Sequence, residues 1–264
     1  ALARAFLDLH RAYRQSHERL ASLDEALGRD DAGLRASPWE EVRDFFHYCD
    51  NYVDAIDRAA EHFISAAGPG KDPLITATEA LKKRGLDVQF SDTGPLRRFD
   101  PTTRRLDLSA RAAAPTQRFQ LLYQVALQTQ NELIEATLDL ARFATPEARD
   151  IAKIGLANYF AGAALMPYRA FLETAQKTRH DLERHRLSTL QRPGAKGVPF
   201  FFVRVDQAGT ITKRHSATRL QFARFGGACP LWNVHRAFET PGHFLRQLAE
   251  TPDGVRYLCL SRDV

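Results

Sequence analysis

Residues 118–127 read Arg-Phe-Gln-Leu-Leu-Tyr-Gln-Val-Ala-Leu and lie near the middle of a chain of 264 residues. They belong to a segment that predicts a helix from near Thr116, and a second predicted helix begins near Glu132. A third begins at Thr145, where the Thr can cap the helix and Pro146 suits its first position. The middle of the chain is therefore predicted to form three consecutive helices.

The residues before this stretch predict further helices and a few strands. A helix begins at Ser37, which can cap it, and Glu40 completes a capping box, so this helix is expected to run to about Ala66. After the break at Gly68-Pro69-Gly70, the pattern predicts a short helix and then strands. The other predicted bounds are 2–27 for an N-terminal amphipathic helix, 72–84 for the short helix, and 86–90 and 96–108 for strands around the turn 100–102.

The character of the sequence changes after residue 191, where Arg192-Pro193-Gly194 opens a loop. An apolar strand is predicted from Pro199 to Asp206, and residues 209–215 are its expected hairpin partner. The remaining predictions are a half-buried strand within the run 229–238, a helix capped at Thr240-Pro241, and a last strand over 255–260. A second domain is therefore expected to follow the helical one.

Composition excludes several classes of protein. The chain is 44% hydrophobic and 26% charged, which indicates a folded protein, and no stretch approaches the roughly 20 apolar residues that span a bilayer. The first residues lack the pattern of a signal peptide, so the cytoplasm is the expected compartment. The three cysteines, Cys49, Cys229 and Cys259, fit buried or reactive thiols better than a disulfide framework.

Charge is distributed unevenly along the chain. Residues 1–132 contain 18 basic and 20 acidic residues, whereas residues 184–264 contain 13 basic and 5 acidic residues, a net charge of +8. The C-terminal third therefore favours an anion, which leaves open a nucleic acid, a phosphorylated small molecule or a solvated face. It has no repeat of aromatic and basic residues of the kind found in stacking platforms for single-stranded nucleic acid.

The stretch 118–127 resembles the helix of ImmA/IrrE-type metallopeptidases, which typically reads Arg-Phe-Thr-Leu-Ala before a His-Glu-x-x-His zinc motif. Such a site needs two imidazoles one helical turn apart and a Glu that activates water. Here Tyr123, Gln124 and Leu127 stand in those three places, and residues 154–156 hold no carboxylate where the family's third ligand is expected. The resemblance therefore implies the family's fold without a metal ion or catalytic residues.

A metal site without its ligands still predicts a groove lined by the residues that replaced them. We expect Tyr123, Gln124, Tyr159 and Tyr168 to line this groove, with Arg118 at the start of the helix. Arg118, beside the unpaired backbone N–H groups of that first turn, is a candidate contact for a phosphate, since helix N-termini attract anions. The alternative is that Arg118 pairs with a nearby carboxylate and that the tyrosines belong to the core.

Residues from about Ser37 to Val264 resemble the ligand-sensing part of the short-chain fatty acyl-CoA regulators. These propionate-type transcription factors carry an XRE-like helix-turn-helix ahead of a degenerate ImmA/IrrE-like region. The strings that carry the resemblance are 37–48, 51–54, 185–194, 198–206 and 229–238. The resemblance implies a short-chain acyl-CoA such as propionyl-CoA as the effector, and DNA binding through helices that are not in this chain. An iron–sulfur cluster is expected only in the intact protein, in a cysteine-rich tail beyond Val264.

An acyl-CoA carries phosphates, an adenine and a short acyl group, so a protein that binds it needs basic residues and an apolar or aromatic wall. Lys213, Arg214 and Arg219 are candidate phosphate contacts, with a solvated hairpin face as the alternative. Trp232 and His235 lie in the most distinctive string of the C-terminal third. The alternation of Asn233 and His235 predicts one strand face, which either lines a pocket or belongs to a core.

These observations predict an α+β protein, in which a mostly helical, degenerate zincin-like domain precedes a smaller GAF/PAS-like α/β domain. The expected boundaries are 1–28 for a helical arm or linker, 29–191 for the inactive metallopeptidase-like domain and 192–264 for the sensor domain. The expected function is effector binding in a homo-oligomeric transcriptional regulator, with no catalysis and no membrane. The alternatives are an inactive interaction module, an iron–sulfur redox sensor, a thioester or peptide hydrolase, and a nucleic-acid-binding module.

Overall fold

The computed structural model describes residues 37–49, 51–68, 70–177, 201–216, 220, 231–251 and 254–263, the side chains of 174–177 and 212–216 excepted. These residues belong to two compact units, one comprising those up to 177 and the other those from 201. The helix expected over 2–27 and the domain boundaries expected at 28 and 191 lie outside the described residues. Within the described ranges, no helix is both long and apolar enough to cross a membrane.

The first unit is mostly helical, with a small sheet between its third and fourth helices. Its elements are α1 (Pro38–Tyr48), α2 (Asp54–Ser65), α3 (Pro73–Lys83), β1 (Asp87–Ser91), β2 (Arg97–Asp100), β3 (Arg105–Ser109), α4 (Ala114–Thr129), α5 (Asn131–Ala141), α6 (Pro146–Leu165) and α7 (Tyr168–Lys177). The capping box at α1 is confirmed, because Glu40 and Ser37 exchange both hydrogen bonds between their side chains and backbone N–H groups. The cap at α6 is also confirmed, because the Thr145 hydroxyl accepts the N–H of Ala148 at 3.1 Å.

The single helix expected from Ser37 to about Ala66 is wrong, because the chain turns between α1 and α2. Asn51 has a φ of 54°, a left-handed conformation that ends a right-handed helix. Its N–H donates to the carbonyl of Phe46 at 2.7 Å, which satisfies an acceptor in the last turn of α1. Asn tolerates this conformation better than most residues, and the spacing of apolar residues alone did not reveal the break.

The three-stranded sheet lies on the helical core. Strand β3 is central, parallel to β1 and antiparallel to β2. Leu106 and Leu108 of β3 are buried and alternate with half-buried Asp107, which is the pattern of a sheet with one face on a core. Helices α4 and α6 form the centre of that core and pack on each other. Their fully buried side chains include Leu121, Leu122, Val125, Leu156 and Phe160.

The second unit contains two antiparallel hairpins and a short helix among its described residues. The first hairpin pairs β4 (Phe201–Val205) with β5 (Ile211–Ser216), and the second pairs β6 (Leu245–Glu250) with β7 (Arg256–Ser261). The helix α8 (Val234–Ala237) lies between them in sequence. The rings of Phe201 and Tyr257 meet edge to face at 5.7 Å, so side chains from the two hairpins pack together. The first hairpin and the last strand are confirmed.

Two expectations for this unit are wrong. The strand expected within 229–238 is instead helix α8 where the structure describes it, so Asn233 and His235 do not share a strand face. The helix expected at Thr240-Pro241 is a turn followed by β6, because Gly242 has a φ of 78°, which interrupts a right-handed helix one residue after its start. The mixed α+β class is confirmed, whereas the GAF/PAS-like topology stays a prediction.

Candidate functional site

The side chains of Arg97, Tyr123 and Gln124 meet where strand β2 lies beside helix α4. Phe99 packs against the core, and Arg97, two residues earlier in the same strand, belongs to the same face. The guanidinium carbon of Arg97 lies 4.1 Å from the centroid of the Tyr123 ring, a cation–π distance. Its Nη1 donates to the Gln124 Oε1 at 2.9 Å. Sequence analysis missed Arg97, although a charged residue on the inward face of a strand was the available signal.

Gln124 presents a buried hydrogen-bond donor. The residue is 1% exposed, and its Nε2 is the one buried side-chain nitrogen or oxygen within the described ranges that has no hydrogen-bond partner. The orientation of the amide follows from Arg97, which only donates and therefore must face the amide oxygen. Buried polar groups in native proteins are nearly always paired with protein, ligand or water. The geometry therefore predicts an acceptor at Nε2.

Arg118 pairs with Asp72, the residue that caps helix α3. The Arg118 Nε donates to Oδ1 at 2.9 Å and its Nη2 to Oδ2 at 2.7 Å, the bidentate geometry of strong Arg–carboxylate pairs. The Arg118 guanidinium, and secondly the N–H of Leu74, lower the pKa of the Asp72 carboxyl to about 2. This is the carboxylate pairing that sequence analysis gave as the alternative, and a phosphate at Arg118 stays a prediction.

Tyr159 and Tyr168 connect α6 and α7 to helix α2. The Tyr159 hydroxyl donates to Oδ2 of fully buried Asp57 at 2.9 Å and accepts the N–H of Val53 at 3.4 Å. Tyr168 is 5% exposed, and its N–H donates to Oε1 of Glu61 at 2.6 Å. The structure thus brings Tyr123 and Gln124 together with Arg97, whereas the contacts it shows for Tyr159 and Tyr168 are with α2.

One residue of the stretch 154–156, where the family's third metal ligand is expected, packs against an aromatic ring. A Cβ added at Gly155 of α6 would lie 2.8 Å from Cε2 and 3.0 Å from Cζ of Phe46 in α1. No side chain fits there unless Phe46 moves, because real Cβ contacts are not this short. Within the described ranges, no group of three or more His, Cys, Asp or Glu residues is placed to hold a metal ion.

The candidate residues of the second unit are only partly described. Lys213 and Arg214 lie in β5, in register with Arg204 and Val203 of β4, but their side chains and all of Arg219 lie outside the description. Half-buried Trp232 precedes α8, and His235 lies within α8.

The environments of His235 and Asn233 differ. The Cε1 of His235 is 3.2 Å from where a Cβ of Gly209 would lie, so its imidazole packs on the turn between β4 and β5. The Asn233 Nδ2 donates to the Leu245 carbonyl at 3.0 Å, and its Oδ1 accepts the Ser261 hydroxyl at 2.6 Å. These bonds give Asn233 a structural role that ties the start of α8 to both strands of the second hairpin.

Two family profiles match the chain. The profile described as "IrrE N-terminal-like domain" matches residues 82–193, which include Arg97, Tyr123 and Gln124. The profile described as "Short-chain fatty acyl coenzyme A regulator, C-terminal" matches residues 189–264. Together they extend from the end of helix α3 to the last residue.

Curated relatives and a solved structure are similar over most of the chain. A "Propionyl-CoA carboxylase regulator" of Cereibacter sphaeroides is 75% identical over all of this chain and 60% of its own length. The "HTH-type transcriptional regulator RamB" of Mycobacterium tuberculosis is 40% identical over all of this chain and 60% of its own length.

A solved "Mycobacterium tuberculosis transcriptional regulator" is 42% identical, with a TM-score of 0.78 over 84% of this chain and 73% of that one. The chain thus spans about 60% of the two curated relatives. It covers nearly three quarters of the solved regulator at 42% identity. The chain therefore belongs to the short-chain fatty acyl coenzyme A regulators with an IrrE-like domain.

Proposed function

We propose that this chain is the effector-binding part of a cytoplasmic transcriptional regulator of short-chain fatty acid metabolism, and that its effector is a short-chain acyl-CoA. Support comes from membership of the family and from the names of its relatives, which are regulators. The observation that carries the proposal is the buried Gln124 Nε2 beside Arg97 and Tyr123. A hydrogen-bond donor without a partner, beside an aromatic ring and a cation, is a suitable environment for an acyl ligand.

The residues in the zinc-motif positions fit binding better than hydrolysis. Tyr123 and Gln124 stand where the metallopeptidase motif has its first His and its Glu, and the cation of Arg97 lies against both of them. A guanidinium in that position opposes a second cation through like-charge repulsion. We therefore propose that the protein binds its effector without converting it.

Effector binding would regulate by favouring one arrangement of the protein over another. A ligand shifts such an equilibrium only as far as its affinities for the two states differ. The proposed partner of the intact protein is DNA, bound through a helix-turn-helix outside this chain, and the proposed route to it is the predicted helix over 2–27. The iron–sulfur cluster and the homo-oligomer stay predictions for the intact protein.

Calorimetric titration of the 264-residue chain with propionyl-CoA, acetyl-CoA and free CoA tests the proposed effector. We expect both acyl-CoA ligands to bind more tightly than free CoA, and thioester to be recovered intact from the mixture. Arg118→Ala tests the predicted phosphate contact. We expect it to weaken the binding of all three ligands alike, because all three carry the phosphates of CoA. Arg149→Ala is the matched control, because Arg149 also forms carboxylate pairs and is about as exposed. Absence of binding by all three ligands, or hydrolysis of the thioester, would contradict the proposal.

A further inference from the structure

Gln124 and Arg97 each have N–H groups beyond the one hydrogen bond that joins them. The Gln124 amide offers two N–H groups on Nε2, and neither of them has a hydrogen-bond partner in the structure. The Arg97 guanidinium donates from Nη1 to Gln124 and has further N–H groups in the same plane. The guanidinium carbon lies 4.1 Å from the centroid of the Tyr123 ring, so the ring covers one side of the guanidinium and leaves further N–H groups able to donate to a ligand.

The donors fit one acceptor oxygen next to an apolar group. A carbonyl or carboxylate oxygen has two lone pairs and can accept from Gln124 Nε2 and from Arg97 together. A phosphate group presents three acceptor oxygens and up to two negative charges. One guanidinium and one amide would leave part of that buried charge unpaired, which is costly. The Tyr123 ring, 7% exposed, offers an apolar wall for a short alkyl chain.

We propose that Arg97 and Gln124 bind the acyl oxygen of the effector, so that this pair distinguishes an acylated ligand from free CoA. The inference rests on the proposed function and adds which end of the effector lies at the former metal-motif position. The shared chemistry is a short acyl group, presented either as a thioester or as a free carboxylate. Because Nε2 is closed off from solvent in this structure, acyl entry requires a local shift, and Arg97 is half-buried on an edge strand where it can move.

Gln124→Glu is the variant that tests this inference most directly. It preserves the shape of the side chain and an acceptor for Arg97, but removes both Nε2 donors. We expect propionyl-CoA to bind at least about tenfold more weakly, the effect of losing one hydrogen bond to a buried partner. The affinity for free CoA should change by less than about twofold, because free CoA has no acyl oxygen and loses no hydrogen bond in this variant. Gln128→Glu is the matched control: it makes the same chemical change at a half-buried position one turn further along α4, and its affinities should equal those of wild type.

The titrations compare propionyl-CoA, sodium propionate and free CoA, so that the two sources of an acyl oxygen are separated. Propionate that binds wild type but not Gln124→Glu supports the inference for a carboxylate, and an effect restricted to propionyl-CoA supports it for a thioester. Equal affinity of wild type and Gln124→Glu for propionyl-CoA overturns the inference and leaves the proposed function standing. Absence of binding by wild type overturns both.

A second measurement does not depend on the affinity of a variant. In protein labelled with ¹⁵N-glutamine, the side-chain amide signal of Gln124 is the one absent from the Gln124→Glu spectrum. We expect that signal to shift when propionyl-CoA is added and to shift less with free CoA. The same signal position in both complexes overturns the inference, because it means that a resident water, rather than the acyl oxygen, occupies Nε2.

Discussion

Gln124 has nearly the shape of the Glu that the metallopeptidase motif places at this position, but it differs in hydrogen bonding. An ionised Glu only accepts hydrogen bonds, whereas the Gln amide also donates two. Arg97 lies on the acceptor side of that amide, so the remaining capacity of both side chains is to donate. The change of one residue type therefore replaces a carboxylate that can take a proton from water with an amide that cannot, and it adds N–H groups that can donate to an oxygen.

Asp72 makes the stability of the helical unit depend on pH below about 4, the unfolded pKa of an Asp. The Arg118 guanidinium, followed by the Leu74 N–H, lowers the pKa of this carboxyl from 3.8 to about 2. A carboxyl whose pKa is lower in the folded state stabilises the fold above its unfolded pKa, and that contribution is lost as the pH falls through the folded pKa. We therefore expect the urea midpoint of wild type to fall more steeply between pH 4 and pH 2 than that of Asp72→Asn.

Asp72→Asn is informative because Asn is as good an N-cap as Asp. The amide oxygen of the variant can still accept the Leu74 N–H, so the variant removes the titration and the ion pair but keeps the cap. Circular dichroism at each pH follows the unfolding of both proteins. If the urea midpoints of the two proteins fall in parallel with pH, the Asp72–Arg118 pair makes no pH-dependent contribution to stability.

At the residue scale, the sequence predicted what depends on neighbours in the chain. The caps at Ser37 and Thr145 require only residues three positions away, and both are present. Arg97 was missed because its partners Tyr123 and Gln124 are more than 25 positions away, and no local pattern links β2 to α4. Strands were expected over 96–108 around the turn 100–102, and the spacing of two between Arg97 and Phe99 places both on one strand face, but that spacing does not indicate which side chains of α4 lie opposite.

At the scale of elements, the close approach of α1 and α6 depends on Gly155. Ala at this position gains up to about 1 kcal/mol of helix propensity, but its Cβ would lie 2.8 Å from the Phe46 ring, and such overpacking typically costs about 1–3 kcal/mol. The ring of Phe46 is itself held edge to face by Phe45 at 5.2 Å, so it has little room to move. We expect Gly155→Ala to lower the free energy of unfolding by about 1 kcal/mol.

Gly162→Ala is the control within the same helix. A Cβ there has no heavy atom within 4 Å beyond its own helix, so this variant should gain roughly 0.5–1 kcal/mol from helix propensity alone. Urea unfolding of the two variants separates packing from propensity, because the chemical change is identical. If Gly155→Ala is as stable as Gly162→Ala, then Phe46 does not pack on α6 as the structure shows.

The two segments wrongly predicted as helical share one physical cause, a backbone conformation outside the helical region. Asn51 and Gly242 both adopt positive φ, and each lies within a segment whose residue pattern otherwise favours a helix. Thr240-Pro241 has the composition of a helix start, but the same pair also suits a turn. Helix α8 has only four residues, which is too few for the spacing of apolar residues to distinguish a helix from a strand.

At the scale of the whole molecule, the sequence indicated the family more reliably than it indicated the fold of the second unit. The strings 185–194, 198–206 and 229–238 are long enough to identify relatives, and the family profile matches 189–264. Such strings identify relatives but do not indicate how the strands pair. In the second unit, each of the two hairpins pairs strands that are neighbours in sequence. The net charge of +8 in residues 184–264 favours an anion, but it does not separate an anionic ligand from a solvated basic face.

Hydrogen exchange measured by mass spectrometry tests which unit the effector stabilises. A ligand at 100 times its dissociation constant stabilises the folded form by about 2.7 kcal/mol, and exchange slows most in the segments whose opening would release it. If the acyl group binds at Arg97 and Gln124, peptides covering 97–129 should exchange more slowly with propionyl-CoA than with free CoA. Peptides covering 131–141 serve as an internal control in the same unit. Acyl-dependent protection confined to 245–261 would contradict an acyl site in the helical unit and would assign acyl recognition to the second hairpin instead.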